Sequence, residues 1–527
     1  MKKLFTFFLI LVFKTSISQF GQMPPFSLEI LPATDVTIPG FHSFAFAENG
    51  TRWLIIGGRT NGLHGMSSND NFPTQYANNN IIVIDTANWQ TYYGSLVNLP
   101  DTIADPLRST NMQYYQDSNY LYMIGGFGWD STQNRYVTFS TLSVIRVDSI
   151  IDAVISSNPI APFIRQISDS NLTVCGGELN KLGTDYYLIF GHDFQGRYTD
   201  PPTPLFTQVY TNQIKKFNIT DNGNNISVSN FVYSTDTVNF HRRDLNVSPI
   251  VLPNGNFALE AFGGVFQYNI NFPYREPITI SSSATTVNNS YQQVMSQYTC
   301  AMIPLCDTLY DDMYVTFLGG LSLYDYNPTN QTVTIDSLVP FIKDVTTLTT
   351  HANGNVEETV LPVQLNGLLG SNAKFIYSNY QWTFANDVID FWSLPNQRTC
   401  IGYMFGGIRA SGTNLLPTFV NDTLYRIFIT PDFSISNNDL KNDFKFLSVY
   451  PNPSEGKSKI SFYLETEQDV SAEIFDLAGN KIEAVFVGNL NKGMNNLEWN
   501  SNCSAGFYFL VLKTENSTST AKVSVIK

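Results

Sequence analysis

Trp53-Leu-Ile-Ile-Gly57-Gly58 is a short apolar run closed by two glycines, and the same device recurs five more times along the chain. The other copies are Leu121-Tyr-Met-Ile-Gly125-Gly126, Tyr187-Leu-Ile-Phe-Gly191-His192, Leu259-Glu-Ala-Phe-Gly263-Gly264, Tyr314-Val-Thr-Phe-Leu-Gly319-Gly320 and Tyr403-Met-Phe-Gly406-Gly407. Successive copies lie about 70 residues apart, and apolar runs this short are strands rather than helices. A strand that bends sharply beside a neighbouring backbone leaves no room for a Cβ and often needs positive φ, which glycine supplies. A period of this size carried by short strands is the sequence sign of a ring of repeated sheets.

Around each doublet the chain repeats one unit. A first strand (Phe44-Ala-Phe-Ala47, Met112-Gln-Tyr-Tyr115) passes through a tight turn (Glu48-Asn-Gly50, Pro253-Asn-Gly255) into the apolar strand. Third strands are expected at 81–85, 142–148, 214–218, 266–269, 323–327 and 424–428, and fourth strands at 91–93, 277–280 and 332–335. Four short strands per unit, separated by turn residues, describe a propeller blade. The sixth unit stops after its third strand, while Phe26-Ser-Leu-Glu-Ile-Leu31 alternates as a strand with no hairpin partner nearby. Pairing the two closes the ring and removes an exposed sheet edge. The expected fold is therefore all-β, a six-bladed propeller over residues 20–432 closed by an N-terminal strand.

The units resemble the kelch family, whose hallmark is an apolar strand closed by Gly-Gly and followed by a strand carrying Tyr and then Trp. The resemblance covers roughly residues 26–432 and is carried by the doublets; only the first unit has a Trp in the expected place, Trp89. The third doublet reads Gly191-His192, and the repeats exceed the usual ~50 residues. Some kelch-like propellers are copper oxidases, a chemistry that needs two His, Tyr ligands and a Cys–Tyr pair at one metal. The five histidines here (His42, His64, His192, His241, His351) show no metal-ligand spacing, so no metal or other cofactor is expected.

The chain opens with Met1-Lys2-Lys3 and a short apolar run to Phe13, followed by small residues. That is the pattern of a secretory signal peptide over residues 1–18, too short to span a membrane, and no later stretch approaches a transmembrane segment. A net charge of −14 without a basic cluster argues against nucleic acid as a partner. The five cysteines are expected to be buried free thiols, with Cys300–Cys306 the alternative pairing. A polar linker at 433–443 leads to a different, compact region over 444–527. Its Gly- and Asn-punctuated alternating strands suggest a small antiparallel β-sandwich. The Tyr450-Pro-Asn-Pro453 opening, the Asp476-Leu-Ala-Gly479 turn, the Gly506-Phe-Tyr508 strand and the final strand ending at Lys527 resemble the C-terminal sorting domain of the type IX secretion system of Bacteroidetes. That resemblance implies the secretion machinery as a partner and a secreted or outer cell-surface location.

Candidate site residues lie on the loops between second and third strands, which share one face with the mouth of the central channel. These loops are long in units one, two, three and six and read as almost absent in units four and five, giving a raised arc on one side. The arc carries His64, Trp129, Tyr136, Asp193, Arg197, Tyr198 and Arg409; aromatic faces with planar donors suit a glycan or peptide. Packing on the blades beneath is the alternative role for the same side chains. Near the mouth stand His42, Arg108 and His241-Arg242-Arg243-Asp244, where convergent arginines fit a carboxylate or pair with local backbone. Glu260 occupies a register position held elsewhere by Leu54, Tyr122, Leu188, Thr316 and Tyr403, so its carboxylate needs a partner or a raised pKa. No nucleophile elbow, zinc-protease helix or phosphate loop is present in the sequence. The leading expectation is a binding protein for glycan or protein; the alternative is a carbohydrate-active enzyme using Arg243, Asp244 and Glu260. Finally, Asp followed by Thr or Ser and an apolar residue or Thr resembles the O-glycosylation sequon of exported Bacteroidetes proteins. It would place sugars on Thr86, Thr102, Ser131, Ser149, Thr237, Thr308, Ser337 and Thr423, while Asp-Thr also suits strand ends as turn chemistry.

Overall fold

In the computed structural model every glycine doublet lies at the end of, or late within, the second strand of its own sheet. The structure describes residues 21–65, 71–198, 206–330, 332–413, 415–433, 444–464, 466–476, 479–501, 503–515 and 517–526. The expected signal peptide and most of the expected linker lie outside the described residues. So do Leu477, Ala478 and Lys527 of the sorting-domain motifs. The protein is all-β, with two short α-helices, Asp101–Leu107 and Val147–Ile155, that the sequence reading left as loop and strand end. The chain divides into two compact units, one holding Met1–Cys306, Met313–Ile389 and Pro395–Pro431, the other Asp307–Asp312, Asp390–Leu394 and Asp432–Lys527.

Sheets 1 to 3 each pair four strands antiparallel, with a separate two-stranded hairpin inserted after the second strand of sheets 2 and 3. They comprise Ala45–Asn49, Arg52–Ile56, Asn80–Asp85 and Gln90–Ser95; then Gln113–Asp117, Tyr120–Ile124, Thr141–Arg146 and Ile164–Ser168; then Glu178–Leu182, Asp185–Ile189, Gln213–Asp221 and Ile226–Thr235. Sheet 6 comprises Leu368–Tyr377, Thr399–Gly412 and Tyr425–Pro431, and its fourth member is the N-terminal strand Phe26–Pro32, paired in register from Phe26↔Pro431 to Pro32↔Tyr425.

Sheets 4 and 5 correct the sequence reading. In sheet 4 the third strand is Ile278–Ile280 and the fourth Thr285–Val287, so 266–269 is connecting loop. In sheet 5 the third and fourth strands are Phe341–Thr350 and Val356–Gln364, while Tyr324–Asn327 and Thr332–Ile335 form a separate hairpin beyond the doublet. The connections after the doublets of sheets 4 and 5 are therefore substantial, and the loop face has no low side.

Successive sheets touch through their doublets. A Cβ added to Gly57 would meet Ser109 O at 2.6 Å, one on Gly125 Val174 O at 1.9 Å, and one on Gly263 Gln297 O at 2.8 Å. Gly191 N donates to Arg242 O at 2.9 Å, a Cβ on Gly319 would meet Leu369 O at 2.2 Å, and one on Gly406 would meet Phe41 O at 2.5 Å. Each carbonyl belongs to the segment entering the next sheet, and the last returns to the first. The entering segments are alike: His42, Thr110, Cys175, Arg243 and Tyr298 bridge to the residues just past the glycines, Arg59, Phe127, His192, Val265 and Leu321. The next residue in each, Ser43, Asn111, Gly176, Asp244 and Thr299, has a left-handed φ of 46 to 65°, as does Asn372 in sheet 6. Trp89 packs edge-on to Trp53 and Tyr403, joining sheets 1 and 6.

In the second unit, Phe444–Tyr450, Lys457–Leu464 and Gly493–Asn500 form one antiparallel sheet. Lys481–Leu490, Gln468–Phe475, Gly506–Lys513 and Thr518–Val525 form another, and inward residues such as Phe462, Ile474, Trp499, Leu510 and Val523 make one shared core. Cys175, Cys300, Cys306 and Cys503 are buried and Cys400 is half-buried, and no disulfide joins Cys300 to Cys306. No helix among the described residues is long and apolar enough to cross a membrane.

Candidate ligand-binding site

Arg243 and Asp244 sit at the entering position of sheet 4, and their backbone is committed to the fold. Arg243 exchanges both backbone hydrogen bonds with Val265 at 2.8 Å, and Asp244 N donates to Gly176 O at 2.7 Å. Their side chains pair with each other. Arg243 Nε also donates to the Tyr210 hydroxyl at 3.2 Å and its guanidinium lies over the Phe266 ring, while Asp244 Oδ1 accepts from Asn111 Nδ2 at 3.2 Å. Burial works against the Arg243 charge, but the Asp244 carboxylate outweighs it and the net shift is upward. The Asp244 oxygens are thus engaged by Arg243 and Asn111. Beside the pair, His241 stacks on Tyr210 at 3.7 Å, and the fully buried Arg242 donates to Asn239 O and Gly263 O beneath the Tyr274 ring.

Glu260 stands apart from that pair. It lies between Ser248 and Thr279 on the neighbouring strands, is 5% exposed, and burial pushes its carboxyl up to about 7 against a hydrogen bond from Thr279. A raised carboxylate pKa means that the folded state holds the proton more tightly than the unfolded chain. Stability should therefore fall as pH rises from about 4.5 to 7 and level off above. Glu260→Gln should remove this fall, and its advantage should reach about 3 kcal/mol by pH 8. Urea midpoints of both proteins across pH 5–8 check it; parallel curves would mean that Glu260 stays charged in the fold.

The loops of sheets 1, 2 and 3 meet in one aromatic cluster. His64 stacks on Phe72 at 4.3 Å and on Tyr198 at 5.3 Å, and burial holds its pKa below the ordinary value. The Tyr136 hydroxyl donates to Phe72 O, Arg197 lies over the Tyr136 ring at 5.2 Å, and Trp129 meets that ring edge-on at 5.2 Å. Phe127, Tyr136, Cys175 and Phe194 are buried beneath them. Much of the cluster is thus packing between neighbouring loops, as the plainer reading of these residues expects. Arg409 is not part of it: its Nε donates to Val420 O at 3.3 Å and its guanidinium covers Phe419 within its own hairpin. Asp193 accepts from Gln195 at 2.6 Å.

One edge of the cluster remains open. A pocket of about 120 Å³ is lined by Trp129, Tyr136, Phe72, Arg108, Asp105 and Arg59, among others. Arg108, the C-cap of Asp101–Leu107, pairs with Asp105 at 3.2 Å, and the second Asp105 oxygen accepts from Ser131 N at 2.7 Å. Sequence reasoning missed Arg59, although a signal existed. It fills the position after a glycine doublet that Phe127, Val265, Leu321 and Ile408 fill elsewhere. A second cavity, of about 300 Å³, is lined by the first strands of sheets 2 to 6. Inside it Lys374 lies over the Tyr114 ring at 5.2 Å and is attracted by Glu178, neither of which was singled out. Among the described residues no three His, Cys, Asp or Glu side chains gather as a metal site would require.

The glycosylation candidates divide by exposure. Thr102, Ser131, Thr237 and Ser337 are exposed, whereas Thr86, Ser149, Thr308 and Thr423 are half-buried. The Thr86 hydroxyl donates to Thr51 O at 2.8 Å, and the Thr308 hydroxyl oxygen is buried.

No curated protein sequence matches the chain. Among solved structures, that of YjhT is similar at a TM-score of 0.40 and 11% identity, over 74% of this chain and 95% of that one. A glycoside hydrolase family 43 arabinoxylan arabinofuranohydrolase from Bacillus subtilis, in complex with cellotetraose, is similar at a TM-score of 0.31 and 11% identity, over 93% and 95%. Neither likeness bears on what this chain binds. Residues 448–527 match the family model of the secretion system C-terminal sorting domain, and the chain is thus marked for type IX export to the outside of the cell.

Proposed function

We propose that residues 20–432 form a six-bladed kelch-like propeller, closed by Phe26–Pro32, that binds a glycan or protein ligand through its loop face outside the cell. In this reading residues 1–18 are a signal peptide, 433–443 a linker, and 444–527 the part that engages the type IX machinery. The pocket where Trp129 and Tyr136 meet Arg108 carries the proposal. It joins the half-buried Trp129 ring to planar donors on one open surface, as ligand sites do. The six doublet contacts, the last returning to the first, support the closed ring. The enzymatic alternative finds less support, since Arg243 and Asp244 saturate each other and Glu260 lies elsewhere. The exposed Thr102, Ser131, Thr237 and Ser337 are the hydroxyls best placed to carry O-linked sugars.

The test uses the chain without residues 1–18 on a broad glycan array and a peptide panel. A bound ligand should be recovered unchanged, and Trp129→Ala should weaken its binding at least tenfold with an unaltered unfolding midpoint. Binding indifferent to Trp129→Ala would refute this location, and chemical conversion of a bound glycan would replace the binder with an enzyme.

A further inference from the structure

Arg59 is 5% exposed, yet every hydrogen-bond acceptor it meets is neutral. Its Nε donates to Asn61 Oδ1 at 3.1 Å, one terminal nitrogen donates to Pro73 O at 2.8 Å, and the guanidinium lies 5.6 Å from the Phe72 ring centre. Among the described residues no carboxylate pairs with it. Burial pushes its pKa down to about 10, so it remains cationic at neutral pH. A buried charge without a counterion is costly.

The chain contains another answer to that cost. Arg242 is also buried without a carboxylate in contact; it donates to two carbonyls beneath a ring, lies within the field of Glu276 and Asp236, keeps one terminal nitrogen without a hydrogen-bond partner, and lines neither cavity. Arg59 differs because it lines the open pocket. On the same wall Arg108 is held by Asp105, and its Nε is buried without a hydrogen-bond partner. The pocket wall therefore holds two guanidiniums and one carboxylate, which pairs with Arg108 alone, and Arg197 stands over the Tyr136 ring nearby. The local excess is positive on a chain whose net charge is −14.

On the reading that the loop face binds a ligand, we infer that this pocket takes the anionic group of an acidic sugar, a carboxylate or sulfate ester seated between Arg59 and Arg108. A guanidinium fork matches the two oxygens of a carboxylate or two of the three terminal oxygens of a sulfate ester. Trp129, half-buried on the same wall, offers an apolar face on which a sugar ring lies. A volume of about 120 Å³ admits the anionic group and part of one ring, with the remainder of an oligosaccharide outside.

The probes are an oligogalacturonate, its carboxyl-reduced counterpart, a sulfated oligosaccharide, a neutral oligosaccharide and an acidic peptide, each titrated against the chain without residues 1–18. The uronate or the sulfated probe should bind, and which of them does so names the anion. The reduced or neutral form should bind at least tenfold more weakly, and raising the salt should weaken the anionic complex. Arg59→Lys and Arg108→Gln should each lose tenfold or more. Arg108 is partly exposed, so its variant reports even if Arg59→Lys fails to fold. Equal binding of neutral and acidic sugars, still lost in Trp129→Ala, would overturn this inference and leave the loop-face reading standing. Binding of the acidic peptide alone would overturn the sugar assignment. Silence from every probe would overturn the inference and the reading beneath it together.

Discussion

Gly125→Ala should unfold the first unit at a far lower urea concentration than the parent chain, with a loss above about 4 kcal/mol. Two effects combine at this residue. Its φ of +63° is one that a side chain adopts at a cost of about 1–2 kcal/mol. A Cβ there would also stand 1.9 Å from Val174 O and 3.0 Å from Leu172 O, both backbone atoms. Relief is blocked because Gly125 N donates to Thr141 O at 2.9 Å and Gly126 N to Val174 O at 2.9 Å, fixing the contact from both sides. Gly50 is the control. Its φ is +60° but nothing lies within 4 Å of its added Cβ, so Gly50→Ala should cost only the backbone term, about 1–2 kcal/mol. Urea titrations of the two variants separate conformation from contact. Equal losses would mean that the doublets serve φ alone and that close approach between sheets does not define the repeat.

Those contacts explain what the sequence made legible. A glycine held by both φ and a neighbouring carbonyl is rarely replaced, Phe190 at φ +55° in sheet 3 being the exception at the first position, so the doublets stand out and one marks each large sheet of the first unit. Strand identity beyond a doublet has no comparable marker. Leu323-Tyr-Asp-Tyr-Asn327 alternates as well as any third strand, but it pairs only with Thr332–Ile335. The true third strand of sheet 5, Phe341–Thr350, looks too polar for an interior. Thr346 and Thr347 are nevertheless fully buried, because the Thr346 hydroxyl donates to Gln297 and that of Thr347 shares a hydrogen bond with Thr316. Hydrophobic patterning is blind to a hydroxyl satisfied by a neighbouring strand or loop of its own sheet. The site was half legible for a related reason. Trp129, Tyr136 and Arg108 are conspicuous on connecting segments, whereas Arg59 adjoins the doublet, and its importance comes from partners it lacks.

Removing residues 21–33 should leave sheet 6 with an unpaired edge and either abolish folding or drive self-association. Phe26–Pro32 pairs with Tyr425–Pro431 along its whole length, and Ala33 N adds a bond to Leu424 O at 2.8 Å. Its side chains alternate, with Phe26, Leu28 and Ile30 buried and Ser27, Glu29 and Leu31 exposed. Three buried apolar side chains at about 2 kcal/mol each exceed half the stability of an ordinary domain. Single substitutions should divide by face. Leu28→Asp places a charge where Leu28 is 7% exposed, costing about 3–5 kcal/mol. Glu29→Ala removes only an exposed ion pair with Arg398 and should change stability by less than about 0.5 kcal/mol. The decisive measurement adds the strand back as a peptide. A peptide of residues 21–35 should bind the shortened chain by β-augmentation and restore a monomeric, cooperatively unfolding protein, whereas the same peptide carrying Leu28→Asp should not. A shortened chain that stays monomeric with the parental unfolding midpoint would show that sheet 6 holds without its N-terminal strand.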